Sequence, residues 1–186
     1  TTSLVMKAKN EQYRFGFLDV ARVLAGILLL NAVASWWFTS SATWGYTGKW
    51  VDGRFIKYQL FGQHTNFTSQ ELSLYNGSDP NLPIYIGIYG RVYDVTASSH
   101  IYGPKGPYAF FSGKDAARAF VTGCFQNQEE FTHDLRGLNP VEAQADIKGW
   151  QDYYDGSHKY WFVGNVIHEP LTGEPPEPCE HRKFPH

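Results

Sequence analysis

Charged residues are scarce in this chain, at 18% of 186 residues, against about 25% in an ordinary soluble domain. A basic excess is missing as well: Lys and Arg number 16, Asp and Glu 18, for a net charge of −2. Nucleic-acid binding draws its affinity from a cationic surface that displaces counterions, so no nucleic-acid partner is expected. Cysteine occurs twice, too rarely for a disulfide-framework mini-protein or a four-cysteine zinc site. Catalytic signatures are lacking too. The histidines His64, His100, His133, His158 and His168 form no H-x-x-x-H pair, there is no G-x-S-x-G elbow, and no nucleophile motif surrounds Cys124. The chain is not expected to be an enzyme. What it has in quantity is aromatic surface, with 6 Trp, 12 Tyr and 13 Phe. That weight suits a flat ligand, a membrane interface or a tight core.

One apolar run stands out, from Phe15 to Phe38, preceded by a basic segment over 1–14 with Lys7, Lys9 and Arg14. As a helix it would measure about 36 Å, enough for the hydrocarbon core of a bilayer. Trp36, Trp37 and Trp44 lie where an aromatic belt would form. The run reads as a single transmembrane anchor over 15–38. Asp19, Arg22 and Asn31 interrupt it, and an unpaired amide in lipid is costly, so a second transmembrane protein is expected against this helix. Small residues at Ala25, Gly26, Ala32 and Ser35 would allow close approach.

Residues 39–65 read as a linker, 66–168 as an α+β domain and 169–186 as a Pro-rich tail. Thr68-x-x-Glu71 is a capping box for a short helix. Two short runs flanking Tyr89-Gly90 predict a β-hairpin. Ser112-x-x-Asp115 predicts a second helix, ended by Gly123. Asn139-Pro140-Val141-Glu142 supplies an N-cap, a proline at the first helical position and an acid in the first turn, for a helix that stops at Gly156. A last strand is expected over Tyr160–Ile167. The tail has little apolar content to bury itself. A disulfide between Cys124 and Cys179 would hold it to the domain, closing a loop worth ~4 kcal/mol on the chain-entropy account. Two sequons, at Asn66 and Asn76, are candidate glycosylation sites.

The densest unusual segment is Tyr102-Gly103-Pro104-Lys105-Gly106-Pro107-Tyr108, in which two Gly-Pro steps stiffen the path between two tyrosines. With IYGRVYDVT before it and FFSGKDAARAF and VTGCF after it, this stretch resembles the membrane-associated progesterone receptor family, whose members carry cytochrome-b5-like haem-binding domains. The resemblance covers about 66–167, and AFVTG with KYWFVGNV looks closest to the neuferricin branch. It implies a b-type ferric haem, with Tyr108 as the iron ligand, Tyr102 as its supporting tyrosine, and Lys159 and Tyr160 as further haem contacts. A phenolate ligand favours ferric iron, so such a site is poorly suited to shuttling electrons. Arg118 is a second candidate cation near the haem. Phe110, Phe111, Phe120 and Val121 are candidate apolar walls.

The function this implies is a non-catalytic, membrane-anchored haem-binding accessory protein that supports membrane enzymes, including those of sterol metabolism, or handles haem; a sterol is a further candidate ligand. The rival is a structural subunit of a membrane complex that uses the domain for docking. Arg22, the sequons and the subfamily likeness place the domain in the lumen of the endoplasmic reticulum or another secretory-pathway membrane.

Overall fold

Residues 16–177 and 179 are described by the computed structural model, as two separate units that divide between Tyr46 and Thr47. The basic segment 1–14 and Phe15, on which part of the topology argument rests, lie outside the described residues, as does the end of the tail from 180.

The first unit is built on helix α1, Phe17–Thr39. Its start is fixed by Asp19, whose carboxylate accepts from the Gly16 backbone N–H at 3.1 Å and from Arg22 at 2.9 Å. The acid lies in the first turn, where the helix dipole favours it. Leu28 and Leu30, both 69% exposed, typify a helix with no protein packed around it, and α1 is long and apolar enough to cross a membrane. At its far end Ser40 turns left-handed and the chain folds back. The Ser35 hydroxyl donates to the Ser41 carbonyl and accepts the Trp44 N–H at 2.6 Å. The Trp44 indole then donates to the Asn31 side-chain oxygen at 3.0 Å. Asn31 therefore has a partner within its own chain. That bond serves the oxygen of the amide; its Nδ2 donors, which have no hydrogen-bond partner among the described residues, are what a neighbouring helix would serve.

The second unit is a four-stranded sheet in the order β1-β4-β3-β2, with β1 Thr65–Thr68, β2 Tyr85–Ile88, β3 Arg91–Asp94 and β4 Trp161–Ile167. β2 and β3 form the expected hairpin, and both turn residues, Tyr89 and Gly90, have positive φ, the geometry that matches strand twist. β4 runs antiparallel to β3 and parallel to β1. At the β1–β4 crossing, Gly164 (φ 159°) lies so close to the Thr65 backbone that any Cβ would collide with its carbonyl, so glycine is required there.

Each sheet face carries its own core. On one face Ile86, Ile88, Tyr93, Phe111, Phe120, Ile147 and Tyr154 pack together beneath helices α4 (Ser99–Tyr102), α5 (Ala117–Thr122) and α6 (Pro140–Asp155). On the other, Phe55, Phe67, Leu72, Val92, Trp161, Val163 and Val166 form the second cluster. Phe55 belongs to helix α2, Gly53–Phe61, and Leu72 to α3, Ser69–Ser73. Much of the stretch read as a linker is thus folded. α2 is capped by the Asp52 carboxylate, which accepts from Arg54 N–H at 2.9 Å, and burying Phe55 against Trp161 is worth about 1.5–3 kcal/mol.

The local signals behave as their chemistry dictates. Thr68 and Glu71 close the capping box. Asn139 caps α6 with Pro140 at its first position, and Gly123 ends α5 in the left-handed region. The helix expected from Ser112 begins only at Ala117, because Ser112 is engaged elsewhere and Asp115, which accepts the Ala117 N–H at 3.2 Å, is shared with other groups. The Ser112 hydroxyl donates to the Tyr102 carbonyl at 2.7 Å. Asp115 caps the hairpin turn, accepting from Tyr89 N–H at 2.9 Å and Gly90 N–H at 2.6 Å, and pairs with His168 at 2.7 Å.

Candidate functional site

The stiff Gly-Pro loop begins where α4 ends. The Gly103 N–H closes onto Ser99 O at 2.8 Å, Gly106 N–H onto Gly103 O at 2.8 Å, and Tyr108 N–H onto Ile101 O at 3.0 Å. The loop therefore lies flat on the last turn of α4. Only glycine allows this: a Cβ on Gly106 would run into the Ile101 carbonyl. The result brings the two ends of the motif together, with the Tyr102 and Tyr108 rings 6.4 Å apart.

Tyr160, at the head of β4, completes a triangle with its ring 6.1 Å from Tyr102. Lys159 precedes it, half-buried, its backbone N–H held by the Ser157 hydroxyl at 3.1 Å. A fourth tyrosine was not anticipated. Tyr154, on the inner face of α6, is 2% exposed, and its hydroxyl shares a 2.7 Å hydrogen bond with that of Tyr102. No local motif marks it. Its signal was its place on the apolar stripe of α6 with Ala143 and Ile147, a stripe that reads as core from sequence alone.

The hydroxyls of this cluster divide cleanly. Tyr102 and Tyr154 hold each other, and Tyr160 donates to Ser98 at 2.8 Å. Burial pushes the hydroxyls of Tyr102 and Tyr154 well above the ordinary phenol range, so both are neutral donors and acceptors at physiological pH. Tyr108 differs. It is 41% exposed, and its hydroxyl has no hydrogen-bond partner among the described residues. Its ring is fixed edge-on by Phe110 (5.9 Å) and Phe125 (6.2 Å) and tilted on Phe111 (6.0 Å). A rigidly placed, exposed phenol above an apolar aromatic wall matches the donor chemistry of a hard oxygen ligand for a haem iron. Phe111 stacks on Phe120 at 4.4 Å behind it.

Arg118 is not near this group. It is completely buried, donating to Glu130 at 3.1 Å and to the carbonyls of Asp134 (3.0 Å), Arg136 (2.8 Å) and Pro176 (3.2 Å). Glu130 in turn accepts from the Thr122 hydroxyl at 2.6 Å. A guanidinium fully spent on these partners cannot serve a propionate, so the expected second cation is withdrawn. Its work is to hold the tail, with help from Arg136, which donates to Gly173 O at 3.2 Å. Cys124 and Cys179 are brought into disulfide geometry at the end of that strap, with Cα atoms 6.6 Å apart. Of the two sequons, Asn66 is exposed on the edge strand β1, whereas Asn76 is half-buried and accepts from Ser78 N–H at 2.8 Å.

A second concavity lies on the other face of the sheet. It encloses about 560 Å³ between α2 and the 80–83 loop, with Tyr58, Phe61, Pro83, Tyr85, Trp161 and Val163 among its lining residues.

The model of the cytochrome b5-like haem/steroid binding domain matches residues 68–167. Membrane steroid-binding protein 1 of Arabidopsis thaliana is 43% identical over 117 residues, covering 61% of this chain and 51% of that protein. Neuferricin of Danio rerio is 36% identical over 134 residues, covering 71% of this chain and 49% of that protein. The cytochrome P450 regulator dap1 of Schizosaccharomyces pombe is 38% identical over 108 residues, covering 55% of this chain and 63% of that protein. The chain spans about half the length of the first of these relatives. The domain match, the sheet it encloses and these likenesses agree: the chain belongs to the cytochrome b5-like haem/steroid-binding domain family, among the membrane-associated progesterone receptor proteins.

Proposed function

We propose that the chain is a membrane-anchored haem-binding accessory protein, with Tyr108 as the iron ligand. The observation that carries this reading is the division of hydroxyls: of four clustered tyrosines, Tyr108 alone keeps its oxygen unpartnered and exposed. A haem bound there would supply an iron held by the hard oxygen of Tyr108, a donor that would favour the ferric state and disfavour reduction. The chain's own residues do the rest. Gly103, Pro104, Gly106 and Pro107 fix the approach of Tyr108, so little entropy is lost in presenting it. Tyr102, locked to Tyr154, stands beside it as a neutral hydrogen-bonding neighbour. Lys159, next to Tyr160, would offer its ammonium as a partner for a propionate. Phe110, Phe111 and Phe125 exclude water from one side. The role is regulatory rather than catalytic, acting on a membrane enzyme, in keeping with a relative described as a cytochrome P450 regulator. α1 anchors the chain, with the domain on the lumenal side, where a Cys124–Cys179 disulfide and a glycan on Asn66 are chemically permitted.

The test is Tyr108→Phe in the purified full chain. The Soret band is expected to vanish while far-ultraviolet circular dichroism is unchanged, and Tyr102→Phe is expected to do less. A full, unshifted haem spectrum in Tyr108→Phe would remove the assignment and turn attention to His100, which is exposed on α4.

A steroid is a second ligand supported by a specific observation. The 560 Å³ concavity beside Trp161 has an aromatic and apolar wall rimmed by Arg54, Lys57 and Asp94, sits on the sheet face away from Tyr108, and is large enough for a four-ring lipid with polar ends. Binding of tritiated progesterone by equilibrium dialysis should survive Tyr108→Phe; loss of both ligands together in that variant would contradict two separate sites.

A further inference from the structure

We infer that the outward face of α2 docks on the lipid surface of the membrane in which α1 is anchored. The inference rests on the anchoring role proposed for α1 and adds a second, interfacial contact to it. α2 is held rigidly on its inner side. Phe55 is 3% exposed, packed on Trp161 at 5.2 Å and edge-on to Trp50 at 5.0 Å. The Tyr58 hydroxyl bonds to His64 at 2.8 Å and to the Val163 carbonyl at 3.3 Å. At 100° per residue, that inner contact points Ile56 and Leu60 away from the domain, with Lys57 flanking Leu60 and Phe61 beyond it at the rim of the concavity. Those apolar side chains are left open: Ile56 is 42% exposed, Leu60 67% and Phe61 80%, and neighbouring Trp50 is 64% exposed. The exposed face of α6 is the contrast, for it carries the Lys148–Asp152 ion pair at 2.6 Å.

An isolated exposed leucine needs no account, but a contiguous apolar face on a rigid helix does. The chain itself names the occupant. Only residues 40–52 separate the end of α1 from the start of α2, and thirteen residues reach at most about 45 Å. Part of that length is spent folding back on α1 through Trp44, Ser35 and Asn31. The surface of that bilayer is therefore within reach of α2. A short helix with Ile and Leu outward, a lysine beside them and an exposed tryptophan just before it is the composition of an interfacial helix. Docking in this way would fix which face of the domain looks toward the membrane.

The experiment uses the full chain in phosphatidylcholine vesicles containing a phospholipid with a photoactivatable carbene precursor near the top of its acyl chain. Labelled peptides are mapped by mass spectrometry. The wild-type chain should carry label on α1 and on residues 50–61, with the latter labelled about tenfold above α6, as expected for a helix seated at the headgroup boundary. The variant I56E/L60E should lose the label on 50–61 and keep it on α1, with unchanged circular dichroism. If that variant fails to fold, the single change Leu60→Glu should reduce the label severalfold. Label on α1 with none on 50–61 above the α6 level overturns the inference while leaving the anchor intact, and so does an α2-to-α2 cross-link between two chains without lipid label. Absence of label from α1 as well refutes the anchor, and the docking with it.

Discussion

Tyr154→Phe isolates the one hydrogen bond in the site that sequence reasoning did not foresee. The change removes an oxygen and leaves the ring, so the core loses no volume. What it leaves behind is the Tyr102 hydroxyl, in a residue 7% exposed, without the 2.7 Å partner it now has. An orphaned buried hydroxyl costs about 1–3 kcal/mol, and in a domain of this size that lowers the melting midpoint by about 3–10 °C. Tyr102→Phe alone should cost a similar amount, because it orphans Tyr154 instead. The double variant removes both polar groups from the same apolar surroundings and should cost clearly less than the two single changes together, with a coupling near 1 kcal/mol. Thermal melts of the haem-free full chain, with its cysteines kept oxidised, measure all three. Strict additivity would show that the two hydroxyls do not depend on one another and would refute the reasoning. Haem titrations on the same proteins carry a second expectation. Tyr154→Phe lets the Tyr102 hydroxyl turn, so haem is retained less tightly but the Soret band stays, unlike in Tyr108→Phe.

Arg118→Met should destabilise by about 3–5 kcal/mol, since it strands the buried Glu130 carboxylate and three carbonyls, and Arg118→Met/Glu130→Gln should recover part of that loss in urea unfolding. Gly106→Ala should lower haem occupancy at fixed haem concentration by displacing the loop from the Ile101 carbonyl, with a stability loss of about 1–3 kcal/mol by circular dichroism. On the alkaline side, Tyr102 and Tyr154 keep their protons where the unfolded chain ionises near pH 10. The folded state then binds more protons, so stability should fall as pH rises above 10, and urea midpoints at pH 8 and 10.5 would read it. On the acid side, burial and then the neighbouring His168 hold His133 below its ordinary value, outweighing Asp115 and Asp134. The unfolded chain takes up that proton first, so stability should drop between pH 7 and 5, and His133→Asn should flatten the drop in thermal melts.

What could be read along the chain was whatever is decided within four or five residues. The Thr68–Glu71 box, the Tyr89-Gly90 turn, the Asn139-Pro140 start and the Gly123 stop each satisfy their own backbone groups, and each formed. Ser112 and Asp115 show the limit of that logic. Both have cap chemistry, but the Tyr102 carbonyl takes Ser112, and Asp115 divides its carboxylate between the hairpin turn and the Ala117 N–H, so the helix starts late. β1 was missed because a four-residue strand with an exposed, polar pattern exists only through its pairing with β4. α2 was missed because its single buried residue, Phe55, gives no period. At the site, the Gly-Pro loop was visible as a motif, and Tyr102, Tyr108 and Tyr160 do converge. Tyr154 and the true employment of Arg118 depend on contacts across 52 and 58 residues, which no local pattern encodes.

The parallel pairing of β1 with β4 also sets a clock. Thr65 meets Gly164 across about a hundred residues of chain. At a synthesis rate of about 5–20 residues per second, the first strand emerges roughly 5–20 s before the partner that gives it a ladder. During that interval the second core cannot close, because Trp161, Val163 and Val166 do not yet exist to cover Phe55 and Phe67. The N-terminal hydrophobic helix has long since left the ribosome by then. Under the anchoring proposed for α1, the nascent chain enters its bilayer while the domain's second core is still open. The last strand to be made supplies three buried residues of the second core and the central ladder of the sheet, so a truncation before Trp161 should leave an unfolded chain rather than a smaller domain.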